Sequence, residues 1–266
     1  MKIKFPTSYQ ITYPEENKKY FEGKSKKEIS ELLAKISAGY CMYCGRKVII
    51  DDENFYQVEH SIEQKGYIDG DKKGIPFTHC KFNLALACMK CNQKYKNRMI
   101  ERLPFELVGK KTDCESQKCR KACEVYLSAR QQYIDKNKII LQPVGVKGQN
   151  LIELGIQYDL IRQIFIPVLS EGILPTEIEL IQEHIARFNL NGNAAISSII
   201  KACELVHKII VVFGDTCSVN DIINILDGIP FEHILVKELM KFITSTIKEV
   251  ELLKDFCELY IVLSYI

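Results

Sequence analysis

The chain has 266 residues, 47% of them hydrophobic and 26% charged, with 14 Gly and 8 Pro. That composition excludes collagen-like, low-complexity and wholly disordered classes, and no apolar run approaches the roughly 18–20 residues of a membrane span. A net charge of +2 hides an asymmetry: residues 1–140 carry 27 Lys and Arg against 18 Asp and Glu, and residues 141–266 carry 9 against 16. The first half therefore attracts polyanions and the second repels them.

The start, Met1 to Pro6, lacks the apolar stretch of a secretory signal, so a cytoplasmic protein is expected. Ser25 with Glu28 matches a capping box and predicts a helix running to about Ser37. A tight knuckle follows, Gly39-Tyr-Cys-Met-Tyr-Cys-Gly45. Arg46 to Ile50 and Phe55 to Ile62 read as strands around the turn-forming Asp51 to Asn54. Residues 65–77 read as a long loop, and Met89 to about Arg102 as a basic helix. A turn-rich stretch, Leu141 to Asn150, is the expected junction between residues 1–140 and 141–266. Beyond it, apolar spacings of three and four predict helices over Leu151–Leu169, Thr176–Leu190, Asn193–Phe213 and Ser218–Leu226, then one or two over Phe231–Ile266.

Eleven cysteines in a chain expected to meet a reducing compartment point to metal or catalysis before disulfides. Cys41-x-x-Cys44 and Cys88-x-x-Cys91 supply four thiolates, enough to close a tetrahedral zinc site with no open position, so the ion is structural. The 43 residues between the knuckles must contain a folded insert. A weaker group is Cys114, Cys119 and Cys123 with Cys80 or His79 as fourth ligand, a second possible zinc. Cys203, Cys217 and Cys257 sit among apolar helix residues and are expected in the core. His184, His207 and His233 are read as helix-borne, scattered and without a partner pattern.

Inside the insert lies Val58-Glu59-His60, followed by Asn83 and, directly after the second knuckle, Asn92-Gln-Lys-Tyr-Lys-Asn97. Together with the knuckles, from Tyr40 to Arg98, these residues resemble the HNH nucleases, in a His-Asn-Asn variant with Glu where Asp is commoner. The resemblance implies an α+β, helix-rich chain: a zinc-pinned ββα-metal domain over residues 1–140, then an all-α oligomerisation or partner-binding domain over 141–266. It implies His60 as general base, Asn83 bracing the loop that orients it, and Glu59 and Asn92 holding a catalytic Mg²⁺ or Mn²⁺, with Asn97 as rival ligand. Lys90, Lys94, Lys96, Arg98 and Arg102 then read as phosphate contacts, and Tyr95 as a base-stacking or core residue. The expected substrate is DNA, with RNA not excluded. In layout the chain is similar to the nuclease subunits of Septu-like and retron-associated anti-phage defence systems, which implies an ATPase partner. A restriction or mobile-element nuclease and a catalytically silent zinc module are the competing readings.

Overall fold

The computed structural model describes residues 1–16, 18–63, 77–97, 101 and 121–265, and shows a mixed α and β chain. Helix α1 spans Gly23–Ile36 and buries Ile29, Leu33 and Ala34. The expected capping box does not form. The helix is entered from Glu22 through a left-handed Gly23, Ser25 lies inside the first turn, and Glu28 pairs with Lys18 at 3.6 Å instead. Glycines at the knuckle do what its tightness requires. Gly45 has φ +70°, and a Cβ there would meet Ile234, Phe5 and His233 at 2.7–2.9 Å.

Two short strands follow, β2 (Ile49–Ile50) and β3 (Glu53–Asn54), paired antiparallel around Asp51 and Asp52. Both aspartates have positive φ, as a two-residue hairpin turn of the primed type needs. The longer β4 (Tyr56–His60) does not continue this hairpin. It pairs with β5 (Leu84–Cys88), an unexpected strand, in the register Tyr56↔Cys88 to His60↔Leu84. Leu84 to Ala87 are buried without alternation, so β5 carries no period-two signal. The strand runs directly into a π-helical turn over Lys90–Tyr95. Helix α2 (Glu124–Asn137) packs back on this unit, with the Tyr126 hydroxyl donating to the Phe82 carbonyl at 2.8 Å.

The second half is not all-α. Where one helix was expected over Leu151–Leu169, β6 (Ile156–Asp159) and β7 (Ile164–Pro167) form a hairpin. The Asp159 carboxylate accepts from the backbone N–H groups of Ile161 and Arg162, a local turn that competes with helix. Strand β1 (Lys2–Phe5) pairs with β6, Lys2 opposite Asp159, so a three-stranded sheet joins the N-terminus to the second half. The remaining helices fall close to their expected places: α3 (Pro175–Arg187), α4 (Ala194–Phe213), α5 (Val219–Asp227), α6 (Leu235–Thr246) and α7 (Val250–Leu263). Proline opens α3, Gly214 at φ +58° closes α4, and Ser218 with Asp221 caps α5 reciprocally. Among the described residues no helix is long and apolar enough to cross a membrane.

Candidate metal centre and its surroundings

The two knuckles converge. The Sγ atoms of Cys41, Cys44, Cys88 and Cys91 all lie within 4.8 Å of one another, and Cys44 and Cys88 are 3.8 Å apart. Zinc–sulfur bonds of about 2.3 Å at tetrahedral angles put sulfurs about 3.8 Å apart, whereas a disulfide needs about 2.05 Å. The cluster can therefore hold a metal ion such as zinc. Without one, four thiols this close cannot ionise together. Hydrogen bonds from Cys41, Cys44 and Cys91 hold the Cys88 thiol far below its ordinary value, whereas those with Cys41 and Cys88 push Cys44 up and those with Cys41, Cys44 and Cys88 push Cys91 up.

Both halves of the chain build the walls of this centre. His233 donates from Nε2 to the Cys44 carbonyl at 2.9 Å and accepts at Nδ1 from Leu235 N–H. The backbone adds Ile234 N–H to Gly45 O and Lys47 N–H to Glu232 O, both 2.8 Å. Tyr43, between the first two cysteines, stacks on Phe188 at 4.8 Å. His184 accepts from Ile140 N–H and bonds the Tyr43 backbone. Burial pushes His184 down to about 3 and His233 to about 4, so both are neutral braces at neutral pH. The sequence showed no pattern linking them, because their partner is the knuckle's main chain.

Strand β4 then sets the candidate residues out by its alternation. Gln57 and Glu59 face the π-helical turn. Asn92 donates to Gln57 Oε1 at 2.8 Å, and Lys96, one turn on, reaches the Glu59 carboxylate and the His60 carbonyl. The Tyr43 hydroxyl caps the other Glu59 oxygen. Two expectations are corrected here. Lys96 is 2% exposed and neutralises Glu59, so it is not a phosphate contact. Glu59, 1% exposed, already has both oxygens engaged, and Asn92 is turned to Gln57, so these two side chains as arranged do not fit a Mg²⁺ or Mn²⁺ ion.

His60 lies on the opposite face of β4. Its Nε2–H donates to the Thr78 carbonyl at 2.8 Å, which leaves the lone pair on Nδ1, and Phe21 meets the ring edge-on at 4.2 Å. Burial, aided by the charges of Lys96 and Lys26 and by His79, pushes its pKa to about 4 against the Thr78 hydrogen bond. Asn83 ties off the loop end after β4: Oδ1 accepts from Ile62 N–H at 2.8 Å and Nδ2 donates to Ile62 O at 3.0 Å. Its backbone carbonyl accepts from Ser61 N–H. His60 and Asn92 are thus not brought together. Asn92 is bonded to Gln57, which lies three residues before His60 and on the other face of β4.

Asn97 donates to the Asn92 and Gln93 carbonyls and serves the helical turn. Lys90 and Lys94 are exposed, and Tyr95 packs partly against the core. Arg98, Arg102, Cys114 and Cys119 lie outside the described residues; of that group's remaining candidates, Cys80 is buried and Cys123 and His79 are half-buried. Cys203, Cys217 and Cys257 are core residues as expected. Comparison with known proteins finds no matching family model, no matching curated protein and no matching solved structure.

Proposed function

We propose that the chain is a zinc-clamped hydrolase of nucleic-acid phosphodiester bonds, of the HNH type, with His60 as its general base. The observation that carries this reading is the state of His60. A backbone carbonyl fixes its tautomer and leaves the Nδ1 lone pair as the proton acceptor, on a ring that is uncharged at neutral pH. It stands at the end of a hairpin that runs into a helical turn, and the cysteine cluster fastens that hairpin to the first knuckle. The ion in the cluster is zinc, and it is structural, since four thiolates complete its coordination. Asn83 positions the loop that holds His60. The basic balance of the first half supports a polyanionic substrate. Exposed Val211, Val212 and Phe213 at the end of α4, with Leu252, Leu259 and Val262 on α7, support a protein partner on the C-terminal helices, the place expected for an ATPase of a defence system.

One observation favours a second reading, a silent zinc module that binds nucleic acid without cutting it. Glu59 is sealed by Lys96 and Tyr43, so the acidic residue beside His60 offers nothing to a cation.

Cleavage decides between them. Supercoiled plasmid and single-stranded circular DNA are incubated with the zinc-loaded chain, with Mg²⁺, with Mn²⁺ and with neither. The hydrolase reading expects nicking by the parent chain and a loss of at least 100-fold in His60→Ala. Equal rates in the two, or none in the parent, leave the silent module. Where cleavage occurs, the acid limb of kcat/KM lies near pH 4, not 6.5, so the rate is flat from pH 7.5 to about 5. A limb near 6.5 contradicts the buried state of His60.

A further inference from the structure

The beginning of β4 separates two grooves that meet at Asn54, Tyr56 and Gln57. The larger, about 680 Å³, lies between α1 and the hairpin and is lined by Lys26 and Lys27. Arg46, Lys47 and Lys90 line the smaller, of about 440 Å³. Between these cations Phe55 is 55% exposed and Met89 60%, with Tyr56 half-buried beside them. Phe55 and Met89 line the same groove as Arg46, Lys47 and Lys90, so apolar faces and cations share one surface.

Two further observations concern hydrogen bonding and charge. Asn92 and Gln93 both donate to the single acceptor Gln57 Oε1. That leaves Gln57 Nε2, Asn92 Oδ1 and Gln93 Oε1 without a protein partner among the described residues, a mixed set of donors and acceptors suited to base edges. The first turns of α1 carry Lys24, Lys26 and Lys27, with no acidic residue in the first turn and no side-chain cap. Cations at the positive end of a helix dipole weaken it, and a bound anion relieves them. One acid, Glu31, lines the larger groove and is paired with Lys27 at 3.8 Å, while Asp51 and Asp52 line the next groove along.

We propose that single-stranded nucleic acid binds across Phe55, Tyr56 and Gln57, its phosphates on Lys26 and Lys27 to one side and on Arg46, Lys47 and Lys90 to the other. The inference deepens the reading of the chain as acting on nucleic acid, and rests on it for the class of partner. It selects a single strand because an exposed aromatic ring stacks on the face of an unpaired base, which a duplex hides. The path also leads to His60. Lys26 sits 4.2 Å over the Phe21 ring, Phe21 covers His60, and β4 carries the chain from Tyr56 to His60 in about 13 Å.

The test is fluorescence anisotropy on the zinc-loaded full chain carrying His60→Ala, with a labelled oligo-dT of about 15 nucleotides. Phe55→Ser raises Kd at least fivefold. Lys26→Gln with Lys27→Gln lowers the slope of log K against log salt by about 1.4, two phosphate contacts on a single strand. The charge-matched control, Lys201→Gln with Lys208→Gln on α4, leaves Kd and slope unchanged, and a duplex of equal length binds at least tenfold more weakly. Phe55, Lys26, Lys27, Lys201 and Lys208 are all exposed, and thermal melting within about 2 °C of the His60→Ala parent shows that each variant is folded. The inference is overturned by no binding in the parent, by equal Kd in Phe55→Ser, by a duplex bound as tightly, or by a control that loses as much as the Lys26/Lys27 pair. Binding that follows the expected pattern while the parent cuts nothing overturns only the hydrolase reading.

Discussion

Lys96 shows what a single side chain can decide. Its ammonium is buried between the Glu59 carboxylate and the His60 carbonyl, and Tyr43 closes the far side of the carboxylate. Removing one member of such a pair leaves a charge in a place without water, which costs about 3–5 kcal/mol, while removing both charges costs far less. Lys96→Met should therefore lower the urea-unfolding free energy by about that amount, and Lys96→Met with Glu59→Gln should recover at least half. Equal destabilisation by the single and double variants would show that packing, not the uncompensated carboxylate, sets the loss. The buried histidines give this scale a pH dependence. His184 titrates near 3 in the folded chain and near 6.5 in the unfolded one, so the unfolded state binds the extra proton first. Its contribution is intact above about pH 6.5 and is lost as the pH falls towards 3, at about 1.4 kcal/mol per pH unit. His184→Asn keeps an acceptor for Ile140 N–H, and its unfolding free energy should fall less between pH 7 and 5 than that of the parent. Parallel curves for the two chains would contradict this.

At the scale of elements, the features with fixed spacing were legible in the sequence and those set by tertiary pairing were not. Two Cys-x-x-Cys knuckles bounded by glycines announce a four-sulfur centre whatever lies between them, and Cys41, Cys44, Cys88 and Cys91 do converge. The helices behind Pro175, before Gly214 and behind Ser218 were marked by their own ends. Strand β5 was hidden because Leu84-Ala-Leu-Ala is buried on both faces, and β6 and β7 because Ile- and Leu-rich runs satisfy helical spacing as readily as alternation. Both expected roles for Glu59 and Lys96 failed for the same reason: two residues far apart in sequence found each other across β4 and the helical turn. The clamp itself is testable. Metal analysis of the purified chain should give one zinc for the Cys41 group, and Cys88→Ser should lose it, with new protease sensitivity between Tyr40 and Lys47. A Cys88→Ser chain that keeps full zinc content and its resistance would remove the cluster as the metal centre.

For the whole molecule, the charge asymmetry suggested two units meeting near residue 140, yet the contacts that hold the metal centre run across that point. Strand β1 pairs with β6, Tyr43 stacks on Phe188, and His233, Ile234 and Glu232 hold the backbone of Cys44, Gly45 and Lys47. A basic half is thus stiffened by an acidic half that lies behind the knuckle, its helices serving as a wall. The consequence is a dependence of the first half on the second. Expressed alone, residues 1–147 lose the donors to the Cys44 and Gly45 carbonyls and expose the buried Tyr43 and Phe5, so they should be insoluble or poor in zinc. Co-expressed with residues 148–266 as a separate chain, and tagged only on the first piece, the two should purify together in equal amounts with one zinc, the β1–β6 pairing reforming between them. A soluble, zinc-loaded first piece that leaves the second behind would show that the two halves are autonomous and that the wall is dispensable to the centre.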